Sequence, residues 1–131
     1  MSIGYFEGQN IYTRAFMPDD AVTNLKAQTF VSLNASKRIA NTAAGAVALG
    51  VALEDYSKDG GQFPNQVWPN RKGVAVRIRG TAFVEAGAAV SAGQDLEVGA
   101  NGTAVPLTTG KKVGVALTGA AAAGDMIEVL L

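Results

Sequence analysis

Two adjacent pairs of carboxylates are the first candidates for acid–base chemistry in this 131-residue sequence. It contains no histidine and no cysteine, so it lacks the usual general base near neutral pH and the thiolate nucleophile. The two carboxylate pairs are Asp19-Asp20 and Glu54-Asp55. Neighbouring residues of an extended chain point to opposite faces, so neither pair is expected to work as a catalytic dyad. We therefore expect a protein that is not an enzyme.

Metal and cofactor sites are not expected either. The composition excludes the thiolate and imidazole ligands that most protein metal sites use. The stretch Gly45–Gly50 contains two glycines, but no Lys-Ser or Lys-Thr pair follows it, so it is not a phosphate-binding loop. These glycines are better suited to turns and to close approach between strands. The sequence thus predicts no cofactor.

One basic cluster is formed by Arg71, Lys72, Arg77 and Arg79. Eleven basic and eleven acidic residues give the whole chain zero net charge, whereas nucleic-acid binders carry a cationic excess that neutralises phosphates. Only Trp68 lies near the cluster for base stacking. We expect no nucleic-acid partner. The cluster is either the solvent face of a strand or a contact to an acidic protein surface.

Aromatic side chains are concentrated in two regions that lack regular alternation, near the N-terminus and around Trp68. Only 7% of the residues are aromatic, so their positions carry information. Large apolar groups outside regular strands either fill a small core or anchor a partner, and we favour the anchor. The predicted residues for contact with a partner or a neighbouring subunit are Tyr5, Phe6, Ile11, Tyr12, Phe16, Phe63, Trp68, Arg71 and Lys72.

Most of the remaining chain alternates apolar residues with small or polar ones. In Val47–Leu53 every odd position is a branched apolar residue, and Val113–Leu117 repeats this design. In Val74–Arg79 an apolar face opposes a face that ends in two arginines. Period two with one buried face predicts antiparallel strands. The pairs Asn101-Gly102 and Gly124-Asp125 are suited to the turns between them.

These patterns predict an all-β fold: a small antiparallel β-barrel or β-sandwich with an extended N-terminal arm. The arm covers residues 1–27, where Asp19 and Asp20 could cap a short helical turn over Ala21–Lys26. Residues 28–131 form a single β domain with a loop insertion at about 54–72. Gly50-Val51-Ala52-Leu53 recurs as Gly114-Val115-Ala116-Leu117. This recurrence has two explanations, duplication of a unit and coincidence in a chain rich in small residues.

The composition favours a protein that works in an assembly. Alanine and glycine supply much of the apolar content, and small side chains bury little area each at roughly 25 cal/mol per Å². Burial against further copies would add stability. We find no signal-peptide pattern at the N-terminus, and glycines and charges interrupt the most apolar tract, Val113–Leu131, so no membrane partner is expected. We expect a soluble protein made in the cytoplasm.

The C-terminal part carries a recognisable series of small-residue motifs. They are Gly87–Gly93, Gln94-Asp95-Leu96, Asn101-Gly102-Thr103, Gly110, Val113–Leu117, a loop of small residues, and Ile127–Leu131. In this series the chain resembles the capsid decoration (cement) proteins of tailed phages. The resemblance covers about Ala82–Leu131 well and Gln28–Gly80 loosely.

The resemblance implies a β-barrel or β-sandwich protein, often a homotrimer, that binds the major capsid protein on the outer surface of the virion. Its function would be to stabilise the assembled head. Two alternatives stay open. One is a β-module of the phage tail or baseplate. The other is a carbohydrate-binding β domain that uses the loop Phe63–Trp68.

Overall fold

The computed structural model describes residues 11–58 and 73–131. Over these residues the chain is built from short antiparallel strands and contains no α-helix, so the predicted all-β class is confirmed. Accordingly, no helix in the described part is long and apolar enough to cross a membrane. The strands are β1 (Tyr12–Phe16), β2 (Asn24–Leu25), β3 (Phe30–Leu33), β4 (Ile39–Asn41), β5 (Gly50–Ala52), β6 (Tyr56–Ser57), β7 (Val74–Arg79), β8 (Thr81–Glu85), β9 (Asp95–Val98), β10 (Ala104–Pro106), β11 (Gly114–Ala116) and β12 (Met126–Leu130).

Two five-stranded sheets share one topology. The first has the order β1-β7-β5-β3-β4, and the second has the order β8-β12-β11-β9-β10. If β1, β3, β4, β5 and β7 are equated with β8, β9, β10, β11 and β12, the two orders are identical. The remaining strands, β2 and β6, pair with each other. In the second unit a single bridge between Val90 and Ala120 corresponds to this pair, because Val90 lies between β8 and β9 and Ala120 lies between β11 and β12. We call residues 12–79 repeat 1 and residues 81–130 repeat 2.

The correspondence extends to single backbone hydrogen bonds, each written here from N–H to carbonyl. Three bonds of repeat 1 each have a counterpart in repeat 2. Gln28 to Ala52 corresponds to Gly93 to Ala116, and Leu49 to Val31 corresponds to Val113 to Leu96. Leu53 to Ala75 corresponds to Leu117 to Glu128. Composition alone does not reproduce long-range pairings of this kind. The recurrence of Gly50–Leu53 as Gly114–Leu117 therefore marks a structural repeat.

A glycine stands at the same point of both repeats because two strands approach closely there. A Cβ atom on Gly50 would collide with the carbonyl oxygen of Arg77 on β7. A Cβ atom on Gly114 would lie 2.7 Å from the carbonyl oxygen of Leu130 on β12. Arg77 and Leu130 are equivalent in the two sheets, because they lie opposite Val51 and Val115, respectively.

Among the described residues, two buried clusters form the core. One lies within repeat 1 and consists of Leu25, Val31, Ile39, Ala52, Val74 and Val76. The other fills repeat 2 and also takes in Phe30 and Val51 from repeat 1. Val51 and Ala52 thus face different clusters, and β5 is buried on both faces. The strand predicted over Val47–Leu53 forms only over Gly50–Ala52, and Val47 is 67% exposed.

The region predicted as an arm contains secondary structure where it is described. Tyr12–Phe16 form the edge strand β1, which pairs with β7, and Asn24–Leu25 pair with β6. The helical turn predicted over Ala21–Lys26 does not form. Instead the Asp19 carbonyl accepts the Val22 N–H at 2.9 Å in a turn.

The edges of each sheet are joined by a bridge rather than by a full ladder. Pro18 bridges Ile39 of β4 in repeat 1, and Ala86 bridges Ala104 of β10 in repeat 2. Around the first bridge, the Asp19 N–H donates to the Ile39 carbonyl at 2.8 Å. The described sheets do not form a closed barrel, and the narrower prediction of a barrel or sandwich is not confirmed.

Candidate functional site

The predicted contact residues divide into two sets. Ile11, Tyr12 and Phe16 are described by the structure. The others, Tyr5, Phe6, Phe63, Trp68, Arg71 and Lys72, lie outside the described residues. Ile11 and Tyr12 are about half exposed at the start of the edge strand β1. Phe16 is partly buried, packs against the core of repeat 1, and has the Arg14 guanidinium 5.2 Å from its ring centroid.

The two repeats meet at a junction that Arg77 holds together. Its Nε donates to the Thr13 hydroxyl at 2.7 Å, and its Nη1 donates to the Thr81 carbonyl at 2.7 Å. One side chain thus connects β1, β7 and β8. The predicted arginine face of β7 is therefore partly structural, because Arg77 is half-buried while Arg79 is exposed.

A small groove lies between the repeats beside this junction. Its volume is about 220 Å³, which is below the usual 300–1,000 Å³ of small-molecule pockets. The groove has room for a side chain of a partner rather than for a sizeable ligand. Its lining residues are Gln28, Leu53, Arg77, Thr81, Ala82, Phe83 and Glu128.

The outer face of the second sheet carries large apolar side chains around one carboxylate. Phe83 lies directly opposite Glu128 in the β8–β12 ladder, and Leu117 donates its N–H to the Glu128 carbonyl from the other side. Met126 and Leu130 flank Glu128 along β12 and point the same way. All four apolar side chains are exposed. We call Phe83, Leu117, Met126, Glu128 and Leu130 the Glu128 face.

Strand alternation alone does not reveal this face, because an apolar residue in an alternating strand is normally assigned to the core. The sequence signal that points to this face lies in Thr81–Glu85, where Ala82, Phe83 and Val84 are apolar at consecutive positions. Ala82 and Val84 are buried and Phe83 is exposed. Apolar residues of both parities in one strand mean either that both faces are covered, as in β5, or that one apolar side chain faces outward, as Phe83 does.

The carboxylate pairs considered for catalysis make structural contacts. Asp19 accepts the Ala21 N–H at 3.1 Å and the Asn34 amide at 2.8 Å. Glu54 accepts the Ala75 N–H at 2.9 Å, and Asp55 accepts the Ala27 N–H at 2.7 Å. The described ranges contain no cluster of three or more carboxylate side chains suited to a metal ion.

A further buried carboxylate, Glu97, lies where the repeats touch. Its Oε1 accepts the Thr108 hydroxyl at 2.7 Å and the Thr108 N–H at 2.6 Å. These bonds, the hydroxyl first, lower the pKa of Glu97, and burial opposes them only in part. The loop held in this way contacts repeat 1, because the Lys111 N–H donates to the Gly45 carbonyl at 2.9 Å. Glu97 therefore fixes the position of the loop that contacts repeat 1 and stabilises the joint between the repeats.

Comparison with known proteins relates the whole chain to phage heads. Residues 2–131 match the family described as XM1 gp53 minor capsid protein, so the resemblance to phage capsid-associated proteins is confirmed. The solved N base of head fiber gp8.5 of bacteriophage phi29 is 19% identical, with a TM-score of 0.63 over 92% of this chain and 93% of that one. At this identity the likeness concerns the fold alone. The search of curated proteins found no match.

Proposed function

This chain belongs to the XM1 gp53 minor capsid protein family, and we propose that it binds the outer surface of an assembled phage head and stabilises it. Family membership makes it a structural, capsid-associated protein of a phage virion. The observation that carries the finer role is the set of large apolar side chains that the fold leaves exposed, above all those of the Glu128 face. Such side chains on a protein with its own core favour contact with a partner.

Stabilisation of the head follows from selective binding. A protein that binds the assembled shell but not free subunits shifts the equilibrium towards the shell. The partner in this proposal is the major capsid protein. Attachment at several points gains avidity, so each contact can be modest. This role needs neither catalysis nor a cofactor.

We further propose that the chain acts as a homotrimer, as the resemblance to capsid decoration proteins implies, and the joint between the repeats suggests which surfaces would meet. The joint uses unlike surfaces, since Phe30 of β3 and Ala82 of β8 enter the same buried cluster. Their counterparts in the other repeat, Asp95 and Arg14, are exposed and carry opposite charges. Asp95 also lies 3.2 Å from the Lys112 ammonium in an exposed ion pair. If the surface around Asp95 of one chain met the surface around Arg14 of the next chain in the same way, the contact would be polar. Such a contact joins two unlike surfaces head to tail, and contacts of this kind can close into a ring. Native mass spectrometry of the free protein and of protein released from heads tests the trimer.

The decisive experiment mixes the purified full chain with phage heads that lack it. We expect the chain to sediment with the heads and to raise the temperature at which they release their DNA. Sedimentation without any gain in heat resistance would contradict the stabilising role. Electron microscopy of gold-labelled virions tests the location, and label on the tail or baseplate would contradict head attachment. In a separate glycan-binding assay, binding to glycans by a chain that does not bind heads would also contradict it.

A further inference from the structure

The two repeats act as an internal control, because one fold is built twice with different residues. Where repeat 2 has Phe83 on its outer face, repeat 1 has Ala15 at the same place in the ladder. The place of Met126 is taken by Gly73, which directly precedes β7. The fold is therefore complete without the large side chains. Phe83 is nevertheless 54% exposed, so more than half of its surface is not packed against other residues of the chain.

The carboxylate at the centre of this face has a further property. Glu128 is half-buried among the four apolar side chains, whereas its counterpart in repeat 1 is Ala75. In the part of the chain that the structure covers, the Glu128 carboxylate accepts no hydrogen bond and pairs with no cation. Arg77 lines the same groove, but its guanidinium is held by Thr13 and Thr81. An unpaired carboxylate in apolar surroundings is matched best by a basic side chain of a partner.

The size and charge of the face argue against a second copy as its occupant. The four apolar side chains present on the order of 300 Å², the size of a large patch on a monomer. A standard interface needs roughly 800 Å² per partner, so this face suits one contact of several. In a twofold dimer through this face Glu128 would meet Glu128, and two like charges close together repel. In the proposed head-to-tail trimer, the chains meet instead through the surfaces that carry Asp95 and Arg14.

We propose that the Glu128 face docks a segment of the capsid protein that presents an arginine or lysine between apolar side chains. The basic side chain lays its aliphatic stem on Phe83 and Leu130 and brings its charge to Glu128. Leu117 and Met126 exclude water around the pair, as the rim of an interface hot spot does. This inference rests on the proposed attachment to the phage head.

The test compares four variants of the full chain in sedimentation with heads that lack the protein. Phe83→Ser and Glu128→Lys alter the face. Their controls in repeat 1 are Val47→Ser, at an apolar residue that is 67% exposed, and Asp20→Lys. The Asp20 side chain is 93% exposed and makes a long ion pair of 3.6 Å with Arg38, which contributes little to stability at the surface. We expect each face variant to bind about tenfold or more weakly, as a hot-spot loss does, and each control to bind within about twofold of wild type. Circular dichroism checks that all four remain folded.

Each outcome decides something different. If wild type binds heads and both face variants bind equally well, the docking proposal is wrong while the proposed function stands. If wild type does not bind heads, both are wrong. If Phe83→Ser instead abolishes self-association and leaves head binding intact, the occupant is a second copy. A Glu128→Gln variant should also show a shallower loss of binding with added salt, because the ion pair is gone; an unchanged salt dependence would contradict the role given to the charge.

Discussion

Replacing Phe30 by alanine should reveal whether the two repeats share one core. Phe30 belongs to repeat 1, is completely buried, and lies in the cluster that fills repeat 2. Deleting a buried phenylalanine side chain costs about 3–5 kcal/mol, which includes the cavity left behind. For a chain of this size, 1 kcal/mol corresponds to about 3–5 °C in melting temperature. Phe30→Ala should therefore lower the melting temperature by about 9–25 °C.

Differential scanning calorimetry measures this change, and Phe83→Ala is the matched control. The control removes the same atoms from a side chain that is 54% exposed, so we expect a cost within about 1 kcal/mol. Because Val51 of repeat 1 also lies in the shared cluster and remains in the variant, Phe30→Ala should still melt in a single transition. If Phe30→Ala melts within about 3 °C of wild type, or if repeat 2 melts unchanged while repeat 1 is lost, the shared core is not what holds the repeats together.

Two further predictions concern the close approach of strands and the joint between the repeats. Gly50→Ala should lower the melting temperature markedly more than Gly73→Ala, because its Cβ atom collides with the Arg77 carbonyl; equal effects would contradict the required close approach. The lowered pKa of Glu97 means that the unfolded chain binds its proton more readily. Its stabilisation is present above the ordinary pKa near 4.5 and is lost as the pH falls through the lowered folded value. The melting temperatures of wild type and Glu97→Gln should therefore converge in acid, and a gap that widens towards low pH would reverse this assignment.

The alternation of apolar and polar residues was sufficient to predict the strands that lie inside a sheet and have one buried face. In Val74–Arg79, Val74 and Val76 are buried and Arg79 is exposed, as the alternation predicted. The same reasoning did not identify β1, because Tyr12–Ala15 are exposed on both faces of an edge strand. A strand without a buried face has no period in its side chains, and its existence depends on its pairing with β7.

The candidate site was less accessible from sequence than the fold. The distribution of aromatic residues predicted Phe16 as a contact residue, but Phe16 packs partly into the core of repeat 1. Phe83 and Met126 drew no attention, because strand alternation shows two faces without showing which of them is covered. Only the packing of β8 against Phe30 and its neighbours decides that Ala82 and Val84 point inward and Phe83 outward.

The sequence by itself determined the all-β class and the family resemblance, because both depend on neighbouring residues: period-two alternation, turn pairs and a series of small residues. Only the tertiary structure showed that the recurring Gly-Val-Ala-Leu belongs to a complete structural repeat. Strand pairing joins residues far apart in the chain and is carried by backbone groups, which every sequence has. Side chains such as Phe30 and Asp95 could therefore diverge at equivalent places while the hydrogen bonds stayed the same.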